Sequence, residues 1–302
     1  MIAGFRLFSI LLLAVLTQSA QAQQAYPSAD AAAEALVVAL GSEKGDAERL
    51  AALLGADRQS YIPTGDVERE DVDAFLGLYR EKHMIEPTAA GRAALVVGNT
   101  PWTFPLPLVQ GKAGWTFDAK SGGEEIRVRR IGRNELASVE AVLAYHDAQM
   151  DYAEVDRDGD GVLEYAQQFM SSDGQYDGLY WPEQPGIEES PLGPLFGDEL
   201  PDGEWQGYHY RILTAQGASA PGGAYDYRLG DNMTRGFALI AWPAEYADSG
   251  VMSFMISHEG QVFEKDLGPD GAKLATSMGR FDPDSSWSEV AAEAEVEALA
   301  TP

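Results

Sequence analysis

Asp156, Asp158 and Asp160 alternate along the run Asp156-Arg157-Asp158-Gly159-Asp160-Gly161-Val162-Leu163-Glu164. Carboxylates at every second position of a tight loop can turn inward around one hard cation. Gly161 allows the sharp turn that brings the carbonyl of Val162 into reach, and Glu164 can add a further oxygen, directly or through water. This is the ligand logic of a calcium loop. The pattern departs from an EF-hand at the twelfth position, where Gln167 stands in place of a bidentate glutamate. A neutral amide there predicts a weaker site, of the kind extracellular modules use with a Kd on the order of 10⁻⁴–10⁻³ M. The expected cofactor is therefore Ca2+ in a structural role, and the competing reading of the same residues is a solvated acidic turn.

Other chemistry is largely excluded. The four histidines, His83, His146, His209 and His258, fall in no metalloprotease pattern, because His258-Glu259 lacks a second histidine at helical spacing. There is no Gly-x-Ser-x-Gly elbow, no phosphate-cradling loop and no dinucleotide fingerprint. The chain contains no cysteine, so no thiol nucleophile is available. Acidic residues are so numerous that any fold would bring some pair within reach of glycosidase chemistry. The residues therefore favour a non-enzymatic role.

Two groups are candidates for binding. Tyr180, Trp181, Trp205, Tyr208 and Tyr210 lie on or beside a long segment rich in Gly, Pro and Asp. They form either a recognition surface or the staples that hold that segment to a sheet. Arg129, Arg130 and Arg133, with Arg127, make a basic island in an acidic chain. They could meet an acidic partner, or pair with neighbouring carboxylates, for which the planar guanidinium is well shaped.

The elements that must position these residues begin as helices. Ser28 caps an expected helix over 29–40, Gly55 stops a second over 46–54, and residues 67–82 carry apolar side chains at helical spacing. The pattern then changes to strands: 93–97, a run at 102–109 whose Pro101, Pro105 and Pro107 demote it to an edge or bulged strand, and a return at 115–117. Residues 134–152 read as the clearest long helix, with Asn134 as its cap and Leu136, Val139, Leu143 and Met150 as its apolar stripe. The irregular segment 155–207 follows, too long to lack a fixed structure or function. Strands are expected at 208–213, 237–242, 251–257 and 262–264, with a hairpin turn at 258–261. Residues 288–300 read as a weakly amphipathic acidic tail, a surface helix or a frayed end.

The 302-residue chain carries a formal net charge of −27. That field repels nucleic acid and anionic membrane surfaces, and attracts cations and basic partners. Arg6, the apolar run 7–16 and Ala20-Gln21-Ala22 have the form of a secretory leader cleaved after Ala22, which would leave −28 on the mature chain. The apolar run is shorter than the roughly 20 residues a membrane span needs. The expectation is a periplasmic or secreted protein with no stable membrane insertion once the leader is removed.

Several stretches together resemble a bacterial exported family, domain of unknown function 2950. They are Phe104-Pro105-Leu106-Pro107-Leu108-Val109, Arg129-Arg130-Ile131-Gly132-Arg133-Asn134-Glu135-Leu136, the Asp-rich loop ending in Glu164-Tyr165-Ala166, and Gly178-Leu179-Tyr180-Trp181-Pro182. Ser190-Pro191-Leu192-Gly193-Pro194-Leu195, Gly236-Phe237-Ala238-Leu239-Ile240-Ala241-Trp242-Pro243 and Lys265-Asp266-Leu267-Gly268 complete the set. The resemblance implies export and brings no catalytic residues. A weaker likeness is to pilin and pseudopilin heads, where a helix also leads through an Asp-rich loop into an antiparallel sheet. The first part of the mature chain is similar in plan to nuclear transport factor 2-like domains.

The expected architecture is α+β in two units, 23–123 and 124–302. The first would be a nuclear transport factor 2-like set of helices on a curved sheet, the second a pilin-head-like unit. The expected function is a binding or envelope-assembly factor with a structural calcium loop, acting on an envelope protein or cell-wall component. Two alternatives stand beside it: a carboxylate-dependent hydrolase of an envelope polymer, and a structural subunit of an envelope complex.

Overall fold

A computed structural model describes residues 23–41, 46–62, 67–193 and 204–291. The expected leader, the last two residues of the motif at 190–195 and most of the expected tail lie outside them. The chain divides into two compact units between Glu125 and Ile126, a point inside a long helix.

The first unit opens with three capped helices. In α1 (Ala29–Leu40) the Ser28 hydroxyl accepts the Ala31 N–H at 3.1 Å. Its buried face is Leu36 and four alanines, small enough for close neighbours. In α2 (Ala47–Leu54) the Asp46 carboxylate accepts the Arg49 N–H at 3.0 Å, and Gly55 ends the helix at φ 98°. A 3₁₀ turn at Arg58–Ser60 precedes α3 (Arg69–Glu81), where Asp71 accepts the Glu68 N–H at 3.0 Å. These caps satisfy donors that the first helical turn leaves free.

Five strands follow: β1 (His83–Ala89), β2 (Arg92–Val97), β3 (Trp102–Thr103), β4 (Leu108–Gly111) and β5 (Gly114–Phe117). They pair antiparallel in the order β1-β2-β4-β5, with β3 also on β2. The expected single strand over 102–109 is two pieces, because Pro105 and Pro107 fall in the gap where no ladder donor is needed. Its second piece, β4, is an interior strand. The strand β1 escapes sequence reading: Pro87 lies in its middle, and all but one of its residues are exposed on the sheet's edge. Phe75, Trp102 and Phe104, half-buried, cluster with the buried Phe117, with centroid distances of 6.2 Å (Phe75–Trp102), 5.2 Å (Phe75–Phe104) and 6.0 Å (Phe104–Phe117).

The long helix α4 runs from Ala119 to Tyr152, fifteen residues earlier than the expected start at Asn134. Asp118 anchors its first turn, accepting the Ser121 N–H at 3.0 Å and the Ser121 hydroxyl at 2.7 Å. Burial works against ionisation of Asp118, but these bonds and nearby Arg92 hold its carboxyl below the usual range. Gly122, Gly123 and Gly132 conceal the helix in the sequence, since glycine disfavours helix interiors. Two of them are required by close packing: a Cβ at Gly122 would lie 2.5 Å from Leu106 Cγ, and one at Gly123 would lie 2.2 Å from the Tyr61 carbonyl. Asn134 is not a cap; its amide donates to the Ser249 carbonyl at 2.8 Å.

In the second unit the buried residues of α4 are Ser138, Val139, Ala141, Val142, Tyr145, Ala148, Gln149 and Tyr152. The expected stripe is displaced, since Leu143 and Met150 are exposed. Ser138, Tyr145 and Tyr152, spaced seven apart like Leu136, Leu143 and Met150, take the inner side instead.

The sheet of this unit has the order β13-β12-β11-β10-β7-β6 and is antiparallel and open. The strands are β6 (Glu204–Trp205), β7 (Tyr208–Leu213), β10 (Ala238–Pro243), β11 (Met252–Ser257), β12 (Val262–Asp266) and β13 (Ser288–Glu289). A separate hairpin joins β8 (Ala215–Gln216) to β9 (Tyr225–Asp226). Residues 288–289, expected in a helical or frayed tail, are instead an edge strand paired to Phe263 and Glu264. The central β10 is buried at all six residues, as a strand covered on both faces must be.

The register explains the two coverings. Tyr210, Ala241, Phe254 and Glu264 share one face. Helix α4 lies over it, with the Tyr145 hydroxyl donating to the Ala238 carbonyl at 3.3 Å. Arg211, Ile240, Met255 and Phe263 share the other. There α5 (Gly271–Ser277) packs: Arg211 donates to the carbonyls of Thr276 and Ala275, each at 2.7 Å, and to that of Met278. The molecule is thus a mixed α+β protein with five helices and open antiparallel sheets among the described residues.

Candidate metal centre

The Asp-rich loop leaves the C-terminal end of α4. Asp156 accepts two backbone N–H groups, from Gly159 at 2.8 Å and Gly161 at 2.9 Å, and so folds the chain around its carboxylate. Asp158 accepts the Asp160 N–H at 3.2 Å, and Asp160 accepts the Val162 N–H at 2.7 Å. Gly159 and Gly161 take φ values of 77° and 88°, the left-handed region where a side chain is strained. The outcome is that one oxygen from each of Asp156, Asp158 and Asp160 lies within 4.8 Å of the others. Among the described residues this is the one group of three or more acidic or histidine side chains so placed. Like charges this close repel, and a divalent cation between them would relieve that repulsion; the group could hold a metal ion.

The other two expected ligands sit differently. Val162 uses its N–H on Asp160. Glu164 turns toward a neighbouring segment, where its Oε2 accepts the Met233 N–H at 3.1 Å. Its carboxyl is raised above the usual range: burial is the largest cause, the Met233 bond opposes it, and Asp158, Asp160 and Asp156 add to it. Gln167, the residue at the EF-hand's closing position, donates to the Asp231 carbonyl at 2.7 Å.

Two residues outside the motif, Asn232 and Gln149, and one within it, Arg157, complete its surroundings. Asn232 Nδ2 donates to Asp160 at 2.6 Å, so the 231–233 segment supports the loop from the side. Gln149, fully buried on α4, clamps the loop's exit: its Oε1 accepts the Ala166 N–H at 2.9 Å and its Nε2 donates to the Ala166 carbonyl at 2.8 Å. Arg157 alternates with the aspartates and points inward. Its side chain is 8% exposed, with the guanidinium 5.2 Å from the Tyr152 ring centroid and 5.0 Å from that of Trp181. No local signal marks Gln149 or Asn232, which sit 17 and 72 residues from their partners. Arg157 was visible only as a spacer.

The aromatic candidates are not gathered in one place. Tyr180, Trp181 and Tyr208 are buried in the core of the second unit, and Trp205 and Tyr210 are half-buried against it. Trp181 Nε1 donates to the Glu188 carbonyl at 2.9 Å, and the Tyr208 hydroxyl donates to the Met252 carbonyl at 2.9 Å. The first bond lies within the irregular segment and the second joins β7 to β11 within the sheet. The basic island lies inside α4 rather than before it. Arg130 pairs with the Asp248 carboxylate and also donates to its carbonyl, Arg129 is half-buried, and Arg133 is exposed.

A carboxylate pair lies between α4 and the sheet face that it covers, Glu135 on the helix and Glu264 on β12. Glu264 is raised above the usual range by burial and by neighbouring Glu135. Glu135 is occupied with structure, its Oε1 accepting the Val251 and Met252 N–H groups at 2.9 and 3.0 Å.

Fold and site together define an α+β protein with a three-aspartate loop set between a long helix and an antiparallel sheet. Residues 23–290 match the family described as protein of unknown function (DUF2950), and the chain belongs to that family. No curated protein and no solved structure matches it, so the pilin-head and nuclear transport factor 2-like plans stay expectations of the sequence. No helix among the described residues is long and apolar enough to cross a membrane.

Proposed function

We propose that this is an exported, non-enzymatic binding or assembly factor of the bacterial envelope, whose second unit is stabilised by one calcium ion. The observation that carries the reading is the convergence of Asp156, Asp158 and Asp160 within 4.8 Å on a loop turned by two left-handed glycines. Hard oxygen donors of this kind suit calcium, and the Val162 carbonyl and Glu164 are the further oxygens in reach by sequence. The secretory form of residues 1–22 supports export, and the charge of −27 argues against nucleic acid as partner. The partner would be an envelope protein or cell-wall component.

The test is a calorimetric calcium titration of the chain from residue 23 onward, paired with thermal melting. Binding in the range of about 10⁻⁴–10⁻³ M, with a higher melting temperature, is expected for the parent. Asp158→Ala and Asp160→Ala should abolish both effects. Absence of heat and of stabilisation in the parent at millimolar calcium would leave the loop an acidic turn.

A further inference from the structure

Cleavage after Ala22 would make Gln23 the first residue of the mature chain, and the fold gives its side chain a fixed place. Gln23 Nε2 donates to the Leu53 carbonyl at 2.8 Å and to the Phe117 carbonyl at 2.7 Å. Leu53 lies in the last turn of α2, where carbonyls lack a full set of helical donors, and Phe117 is the last residue of β5. Both are buried, and Gln23 itself is half-buried. The primary amide has two N–H groups, and both are used to tie the start of the mature chain to the ends of two elements. The residues behind it are held as well: Gln24 N–H donates to the Ala52 carbonyl at 2.7 Å, and Tyr26 and Trp115 exchange N–H···O bonds at 2.8 and 2.7 Å.

A glutamine with a free α-amine has a reaction that an internal glutamine lacks. The amine attacks the side-chain Cδ, an N–Cδ bond forms and the Cδ–Nε2 bond breaks. One amine proton passes to Nε2, which leaves as ammonia. The product is a five-membered lactam without the primary amide. With the leader attached the route is closed to Gln23, because its nitrogen is in the peptide bond to Ala22; for Gln24 it is closed at every stage. We infer that Gln23 is a cyclisation site opened by leader removal and held shut by the fold, so that the mature chain keeps an open N-terminal glutamine as the tie between α2 and β5. The inference rests on the cleavage reading above. Cyclisation turns Cδ back onto its own backbone nitrogen and takes Nε2 away from both carbonyls. In the folded chain those movements break two hydrogen bonds; in the unfolded chain they displace only water.

The experiment follows loss of ammonia by intact mass in the chain from residue 23 onward, released from a fusion cut immediately before Gln23. The folded chain, the same chain in guanidinium chloride and a peptide of residues 23–27 are incubated at one pH and temperature, the peptide in both solvents to correct for the denaturant. Breaking two hydrogen bonds of ordinary net strength slows a reaction by about tenfold. Cyclisation in the folded chain should be slower than in the unfolded chain by that factor or more; equal rates would overturn the inference. Melting gives a second readout. A chain allowed to cyclise while unfolded and then refolded should melt below the parent, as should Gln23→Ala, which loses the amide without forming a lactam. If either is as stable as the parent, the amide is no tie and the inference fails. Protein exported from a bacterial host with its leader, weighed in the same way, separates the two readings. Open Gln23 at the terminus supports both. A lactam at position 23 leaves the cleavage reading standing and overturns the inference, and a first residue other than Gln23 overturns both.

Discussion

Gln149 and Ala166 form a two-point clamp, the side-chain amide of the helix residue matching the backbone N–H and C=O of the loop residue at 2.9 and 2.8 Å. Both residues are buried, so each bond replaces water that cannot enter. The same Nε2 also reaches the Tyr145 hydroxyl at 3.0 Å. Removing the amide strands a donor and an acceptor in the core. We expect Gln149→Ala to destabilise the protein by roughly 2–4 kcal/mol, the sum of two buried unsatisfied groups. Urea unfolding measures this directly; a loss under about 0.5 kcal/mol would mean that water or a backbone shift replaces the clamp.

Glu164 predicts how calcium stabilisation varies with pH. Its folded carboxyl is raised above the usual value of 4.5, chiefly by burial and then by the three aspartates, so the metal-free native state holds its proton more tightly than the unfolded chain. That contribution is fully present below the usual value and is lost as pH rises through the shifted one. A cation neutralises the aspartates and lowers Glu164, so the gain in melting temperature from calcium should grow from acid to neutral pH. In chelator, Glu164→Gln should be slightly more stable than the parent at neutral pH, by no more than about 1 kcal/mol since the group is only partly buried. A lower melting temperature would show that the charged form is the one the Met233 N–H requires.

Arg211 closes the C-terminal end of α5, where the last carbonyls lack a full set of helical donors. Its guanidinium reaches Thr276, Ala275 and Met278 at once, which three diverging N–H groups in a plane can do. Arg211→Met should cost roughly 2–3 kcal/mol, and Arg211→Lys should recover less than half of it, because an ammonium cannot span three acceptors in that geometry. Equal stability of the two variants in guanidinium melts would count against a shape-specific cap.

Glycines of one helix should respond in opposite directions to the same change. Gly132→Ala meets nothing within 4 Å and should stabilise by roughly 0.5–1 kcal/mol, the ordinary helix gain. Gly123→Ala brings a Cβ to 2.2 Å from the Tyr61 carbonyl and should destabilise by about 1–3 kcal/mol. Thermal melts of the pair test whether these glycines serve packing or merely tolerate it.

Sequence alone determined what depends on near neighbours. The capped helices α1 and α2, the central strands, the hairpin turn at 258–261 and the alternating aspartates of the loop all follow from caps, alternation and turn residues a few positions apart. Tertiary structure decided whatever depends on an approach between distant segments. Helix α4 extends back to Ala119 through glycines because Leu106 and the Tyr61 carbonyl leave room for nothing larger. Its buried face is chosen by the backbone groups that Tyr145, Gln149 and Tyr152 find on the strands and loops, rather than by Leu143 and Met150. The same holds at the candidate metal centre. Its three aspartates are written in nine consecutive residues, while Gln149, Arg157 and Asn232 take their roles from partners that only folding brings near. Local preferences are worth a few tenths of a kcal/mol per residue, whereas a buried polar group without its partner costs about 1–3 kcal/mol. Where the two conflict, the distant partner prevails.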